Sequence, residues 1–319
     1  MAITPSPSAI VATGLRKSFG DHVVLDDIDL DVPQGTVYAL LGPNGAGKTT
    51  VVQILSTLIG ADAGQVSIAG HDLTREPDRV RAAIGVTGQF SAVDGLLTGE
   101  ENLILMADLH HLERAEGRRR VAGLLERFDL AGAARKAVAT YSGGMRRRLD
   151  LAMTLVGEPQ VIFLDEPTTG LDPRSRRTMW QIIGRLVAGG ITVFLTTQYL
   201  DEADELADRI AVLDHGRIVA VGTAAELKRR VPGGHIRLRF ASAAALDAAA
   251  ENFPGSTRDD DALVLRVPGD GSVAVLRALI DRLDGAGAEV AELSVHIPDL
   301  DDVFFALTGA SASDKETAR

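Results

Sequence analysis

The chain has 319 residues, 44 of them acidic and 33 basic, a net charge of −11 and no cysteine. That length suits about two domains with a full hydrophobic core. The missing cysteines exclude disulfides, zinc–thiolate sites, iron–sulfur clusters and cysteine nucleophiles, and the acidic balance argues against nucleic acid held by a basic surface. The charge is unevenly spread. Residues 231–319 carry a net −7, and residues 1–230 a net −4. Two units with different surfaces are therefore expected.

Taken in order, residues 1–9 read as a disordered N-terminus, rich in Pro and Ser and without the basic and apolar segments of a signal peptide. Ile10–Thr13 reads as a strand, and Val23–Val32 alternates apolar and acidic residues as a half-buried strand does. Thr36–Leu41 is a continuous apolar run before a Gly-rich turn, and Thr49–Leu58 has helical spacing. Gln65–Ala69 and Ile84–Thr87 are short strands. Residues 99–157 read as mostly helical. A second α/β rhythm follows: strand Val161–Leu164, helix Arg174–Ala188, strand Ile191–Thr196, helix Leu200–Ala207. Ile210–Leu213 and Arg217–Val221 then flank a hairpin turn at Asp214-His215-Gly216. Buried strands alternating with helices imply a mainly parallel sheet covered on both faces. No apolar run approaches the roughly 20 residues of a membrane span.

Val231-Pro232-Gly233-Gly234 breaks this rhythm and marks the expected boundary. Beyond it, strand His235–Phe240, helix Leu246–Asn252, strand Ala262–Val267, helix Val273–Leu283, strand Glu289–Val295 and helix Leu300–Leu307 make a small α+β domain over about 233–308. A disordered tail is expected over 309–319.

Gly42-Pro43-Asn44-Gly45-Ala46-Gly47-Lys48-Thr49-Thr50 satisfies GxxxxGK[ST] between a predicted strand and helix. Glycines let backbone N–H groups approach phosphate oxygens, and the following helix N-terminus is electropositive. Lys48 is placed to meet the β- and γ-phosphates, and the Thr49 hydroxyl to ligate Mg²⁺. Val161-Ile162-Phe163-Leu164-Asp165-Glu166 ends an apolar strand in two carboxylates, at the edge where α/β sheets bind ligands. Asp165 suits Mg²⁺ ligation, and Glu166 is the candidate general base.

Tyr141-Ser142-Gly143-Gly144-Met145 resembles the LSGGQ signature of ABC ATPases, with Tyr for Leu and Met for Gln. Phe19 matches the adenine-stacking position, Gln89 the Q-loop, Leu171-Asp172 the D-loop and Thr196-Thr197-Gln198 the switch. The elements occur in the family's order across 10–230. The resemblance implies a P-loop ABC nucleotide-binding domain with a helical subdomain over about 99–157. It also implies nucleotide contacts from Phe19, Gln89, Ser142, Gly143, Gly144 and Asp172, Gln89 at the metal as well, and catalytic parts for Lys48, Glu166 and Gln198. Gln198 departs from the family's histidine, and an amide does not titrate.

TYSGGMRRRL, TTQYLDEADELADRI and the tail LDDVFFALTG resemble the daunorubicin-resistance type of exporter ATPase. That likeness implies ATP and Mg²⁺ as cofactors, a homodimer with two ATP molecules at its interface and a separate membrane permease. The protein would lie peripherally on the cytoplasmic face of the membrane. An importer ATPase is the nearest competitor, since the cassette alone does not set direction. A non-transport ABC ATPase would bring a coiled-coil insertion or a second cassette, and a P-loop kinase would not need the SGG signature. Glu100 and Asn102 are candidates for permease contact or for a helix cap. Arg146-Arg147-Arg148 read as a solvated helix face.

Overall fold

The structure, a computed structural model, describes residues 7–88, 92–230, 234–269, 271–286, 289–296 and 299–308. The chain divides into two compact units, Met1–Ala224 and Ala225–Arg319. The division falls several residues before the Pro-Gly-Gly stretch where the composition placed it.

The first unit begins with β1 (Ser8–Phe19), β2 (His22–Pro33), β3 (Val37–Leu41) and α1 (Lys48–Leu55). Next come β4 (Ala63–Ile68), β5 (His71–Asp72), α2 (Pro77–Ala83) and β6 (Ile84–Thr87). The helical stretch follows as α3 (Gly99–Leu109), α4 (Arg114–Arg127) and α5 (Gly143–Thr154), with short 3₁₀ turns at Ala131–Ala133 and Val138–Thr140. The second α/β rhythm is β7 (Val161–Asp165), α6 (Pro173–Ala188), β8 (Thr192–Thr197), α7 (Leu200–Leu206), β9 (Arg209–Asp214) and β10 (Arg217–Gly222).

Two sheets result. One has the order β10-β9-β3-β8-β7-β6 and is parallel except for the β9–β10 hairpin. β3, β7 and β8 are buried at every position, which explains their uninterrupted apolar runs. Tyr38 stacks on Phe194 at 5.7 Å, and Phe163 tilts against Phe194 at 5.8 Å. Each such fully buried aromatic contributes on the order of 1.5–3 kcal/mol.

The other sheet, β2-β1-β4-β5, is antiparallel. Its β1 runs well past the four residues expected, through several register shifts, with Ala9, Ile10, Ala12 and Leu15 buried. The expected parallel sheet is thus one of two in this unit.

The second unit opens with α8 (Ala224–Arg230), whose first residue ends the first unit. It continues through β11 (His235–Phe240), α9 (Ala243–Asn252), β12 (Thr257–Asp259), β13 (Val264–Pro268), α10 (Val273–Ala286), β14 (Val290–His296) and α11 (Leu300–Thr308). The antiparallel order β12-β13-β11-β14, with helices after its first and third strands, is the ferredoxin-like split β-α-β arrangement. Ile236, Leu238 and Phe240 alternate inward and pack with Leu246, Leu279 and Leu283. Among the described residues no helix is long and apolar enough to cross a membrane.

Candidate active site

Strands β3, β8 and β7 lie side by side, so the segments leaving their C-terminal ends converge. Thr196 on β8 is in register with both Leu40 and Asp165. The Gly42–Thr50 loop leaves β3, Gln198 leaves β8, and Asp165 ends β7. This is the C-terminal strand edge where open α/β sheets bind ligands.

The loop is held by its own backbone. Gly42 N donates to Thr197 O at 3.2 Å, and Ala46 N to Pro43 O at 3.3 Å. Gly47 caps α1 with φ 108°, and a Cβ there would lie 2.7 Å from Leu25 Cδ2, so both conformation and packing require glycine. The β9–β10 turn braces the loop from outside. Gly216 N donates to Ala46 O at 3.1 Å, and Gly216 O accepts from Asp26 N at 2.9 Å. His215 and Gly216 both have positive φ, the geometry of a type I′ hairpin. The first N–H groups of α1 have no carbonyl within the helix and are available to an anion.

Lys48 is 5% exposed, and its Nζ donates to Gly42 O at 2.9 Å and Pro43 O at 3.1 Å. It also lies 3.4 Å from Glu166 Oε1. Thr49 is exposed on the first turn of α1. Asp165 is buried, with Oδ1 accepting from Thr196 Oγ1 at 2.5 Å. Strand alternation would turn Glu166 away from its neighbour, but β7 stops at Asp165. Glu166 adopts φ 47°, the left-handed region, at a cost on the order of 1–2 kcal/mol. Its N–H donates to Thr196 Oγ1 at 3.1 Å, and Thr169 Oγ1 donates to its Oε2 at 3.3 Å.

A second grouping forms around the signature. Ser142 caps α5, accepting from Met145 N at 3.3 Å. Gly144 packs so closely on Ser175 that a Cβ would sit 2.5 Å from its Oγ. Asp172 caps α6: Oδ1 accepts from Arg174 N and Ser175 N, each at 3.0 Å, and Oδ2 from Ser175 Oγ at 2.6 Å. These bonds, led by the Ser175 hydroxyl, hold the Asp172 carboxyl below the usual carboxylate range. Its carboxylate is thus engaged by its own helix. Phe19, at the end of β1, is 52% exposed, with Lys17 Nζ 5.3 Å from its ring centroid. Gln198 is half-buried. Gln89 lies outside the described residues.

Two expectations change. Of the three arginines only Arg146 is exposed, and all three guanidinia are tied to protein carbonyls. Arg146 donates to Val138 O and Ala139 O, and Arg148 to Phe128 O and Asp129. Arg147 reaches back to the β7 end: Nε donates to Pro167 O at 2.9 Å, and Nη2 to Asp165 O at 3.1 Å and Glu166 O at 3.3 Å. Its Nη1 donates to Gly88 O at 3.0 Å and Asp150 Oδ2 at 3.4 Å. Burial pushes Arg147 down, against Asp150, Asp165 and Glu202. Asn102 is 1% exposed and bonded to Asp94 and Thr98, so it braces a turn and is not available to a partner. Glu100 sits in the first turn of α3, capped by a Thr98–Glu101 box.

Glu202 was not singled out by its sequence context. It is fully buried on α7, with Oε1 accepting from Trp180 Nε1 at 3.2 Å. Among the described residues its Oε2 and the Thr168 hydroxyl are buried without hydrogen bonds. Burial pushes its carboxyl up, against the pull of the nearby Thr197 and Thr168 hydroxyls and the Trp180 indole. Only its place in an acidic run, DEADE, was visible beforehand.

A backbone cradle opening a helix beside a carboxylate-tipped strand defines the class, a P-loop nucleotide-binding protein. The ABC transporter family model matches residues 25–169. A daunorubicin resistance ATP-binding protein of Streptomyces coeruleorubidus is 50% identical over 313 residues, covering 98% of this chain and 99% of that protein. A daunorubicin/doxorubicin resistance ATP-binding protein of Streptomyces peucetius is 48% identical over 320 residues, covering 98% of this chain and 96% of that protein. Among solved structures, the ATP-binding subunit of an ABC transporter aligns with TM-score 0.63 and 30% identity, covering 70% of this chain and 93% of that one. The chain belongs to the ABC transporter family, as one of its ATP-binding, ATP-hydrolysing subunits.

Proposed function

We propose that the chain powers export of amphipathic drugs or lipids through a separate membrane permease. Two copies close around two ATP molecules. Closure drives the permease, and hydrolysis reopens the pair, because ATP favours the closed state. The observation that carries the reading is the meeting of Lys48 and Glu166 beside the glycine loop, joined to near full-length likeness to drug-resistance ATP-binding proteins. The C-terminal unit assists dimerisation or regulation. Attachment to the permease places the protein on the cytoplasmic face of the membrane.

In this reading Gly42–Thr50 cradle the phosphates, Lys48 meets the β- and γ-phosphates, and Phe19 stacks on adenine. Glu166 polarises the attacking water, and Gln198 donates a hydrogen bond toward the γ-phosphate. Ser142, Gly143 and Gly144 open α5 toward the ATP held by the other copy, and Asp172 shapes the same interface through the α6 cap. The Thr49 hydroxyl and the Asp165 carboxylate are hard oxygen donors that suit Mg²⁺, with Gln89 as a further donor. Among the described residues no three acidic or histidine side chains converge, so phosphate and water oxygens would complete the shell. When bound, Mg²⁺ supplies charge neutralisation between the phosphates.

Co-expression with a candidate drug-export permease, followed by drug-stimulated ATPase assay of the purified complex, tests the reading. Stimulation by daunorubicin supports it. A chain that binds ATP yet recovers no permease and shows no stimulation overturns it.

A further inference from the structure

Arg147 is the residue that joins the two groupings of the site. It stands one turn into α5, the helix that Ser142 caps. An arginine carries five N–H donors in a rigid fork. Here each has an acceptor: Pro167 O, Asp165 O, Glu166 O, Gly88 O and Asp150 Oδ2. Four of these are backbone carbonyls. Three belong to consecutive residues through which β7 ends and the chain turns. The fourth precedes Gln89.

The turn needs such a clamp. Glu166 holds a left-handed backbone, φ 47°, which a side-chain-bearing residue keeps only where its surroundings impose it. On one side the imposing bonds are Glu166 N to Thr196 O and Oγ1, at 3.2 and 3.1 Å. On the other they are those of Arg147 to the carbonyls, joined at Glu166 O by Thr169 N at 3.3 Å. The carboxylate that meets Lys48 at 3.4 Å is carried by this twisted residue. A small rotation of the turn would therefore displace it.

We propose that Arg147 is a positioning residue for Glu166, and that it fixes the catalytic turn from the signature helix. All the hydrogen-bond acceptors of the guanidinium are protein atoms. It acts by holding the peptide units on both sides of Glu166. Because α5 also presents Ser142, Gly143 and Gly144, movement of that helix on meeting the other copy's ATP is passed to Glu166 of the same chain. The inference rests on the role proposed for Glu166, and the experiment separates the two.

Lysine keeps the charge but offers one point and three donors, so it cannot span these acceptors. Single-turnover ATP hydrolysis and fluorescent-ATP affinity are measured on the full chain for wild type, Arg147→Lys, Glu166→Gln and the double variant. Arg147→Lys is expected to slow hydrolysis at least ~10-fold while ATP affinity changes less than ~2-fold. In the Glu166→Gln background the same substitution is expected to change the residual rate less than ~2-fold, since the carboxylate it positions is gone. Equal losses in both backgrounds, or a rate loss matched by lost affinity, overturn the inference. If Glu166→Gln itself leaves the rate unchanged, the role of Glu166 falls instead. Should Arg147→Lys melt below the assay temperature, Arg147→Gln is read in the same cycle.

Discussion

The Lys48 ammonium stands 3.4 Å from the Glu166 carboxylate, with both side chains nearly buried. The two come from segments more than a hundred residues apart, joined by the register of β3, β8 and β7. Their loss should not be equivalent. Lys48→Ala is expected to weaken ATP binding and hydrolysis together. Glu166→Gln keeps the shape, retains ATP affinity and loses roughly 10²–10⁴-fold in turnover. With ATP and Mg²⁺, Glu166→Gln should elute from gel filtration as a dimer. A variant that stays monomeric at saturating ATP would count against the closing mechanism.

Gln198 leaves β8 where the family at large has a histidine. Gln198→Ala is expected to reduce ATPase activity sharply in the permease-bound complex. Gln198→His should keep activity and add an inflection to the rate profile between about pH 5 and 8, which the wild type lacks. Identical profiles for wild type and Gln198→His would remove Gln198 from the reacting phosphate's surroundings.

Gly144 faces Ser175, whose hydroxyl is tied to Asp172 and is not free to swing aside. Gly144→Ala is therefore expected to cost about 1–3 kcal/mol, the range for overpacking. Urea denaturation of the full chain reads the cost, and Ser175→Ala in the same chain should restore part of it. No recovery in the double variant would mean that the strain lies elsewhere.

The phosphate loop and the Asp165-Glu166 strand end were legible because their chemistry needs particular residues at fixed spacing. Gly42–Thr50 and the apolar run before Asp165 admit few other readings. The central parallel strands were legible for a related reason, since burial on both faces leaves continuous apolar runs. The role of Arg147 was not. An arginine between two others on a helix looks the same whether it points to water or to distant carbonyls, and those carbonyls belong to residues up to 59 positions away. For Asn102 the sequence left partner contact and helix cap both open, because its partners are backbone atoms of the turn and of the Thr98 cap, whose path no side chain announces. The antiparallel sheet was hidden by β1, whose register shifts break the period-2 pattern.

Glu202 predicts a pH dependence of stability. Burial raises its carboxyl in the fold above the unfolded value of roughly 4.3. A raised acid binds its proton more tightly in the folded state, so stability is greatest below the unfolded value and falls as pH rises through the folded one. Glu202→Gln removes the charge and keeps an acceptor for the Trp180 indole. Its melting temperature should exceed that of wild type most at about pH 8, with the gap closing as pH falls toward about 4. Calorimetry across that range measures it, and a gap that widens on acidification would reverse the assignment.

Trp180 is the sole tryptophan in the chain, and its indole N–H donates to Glu202 on α7, the helix that follows Gln198. The protein thus contains its own fluorophore at the joint between α6 and α7. Any shift of α7 relative to α6 changes the indole's contact with a carboxylate and with it the emission. Nucleotide-driven rearrangement of the Gln198 segment can therefore be followed in the unlabelled wild-type chain, by light alone.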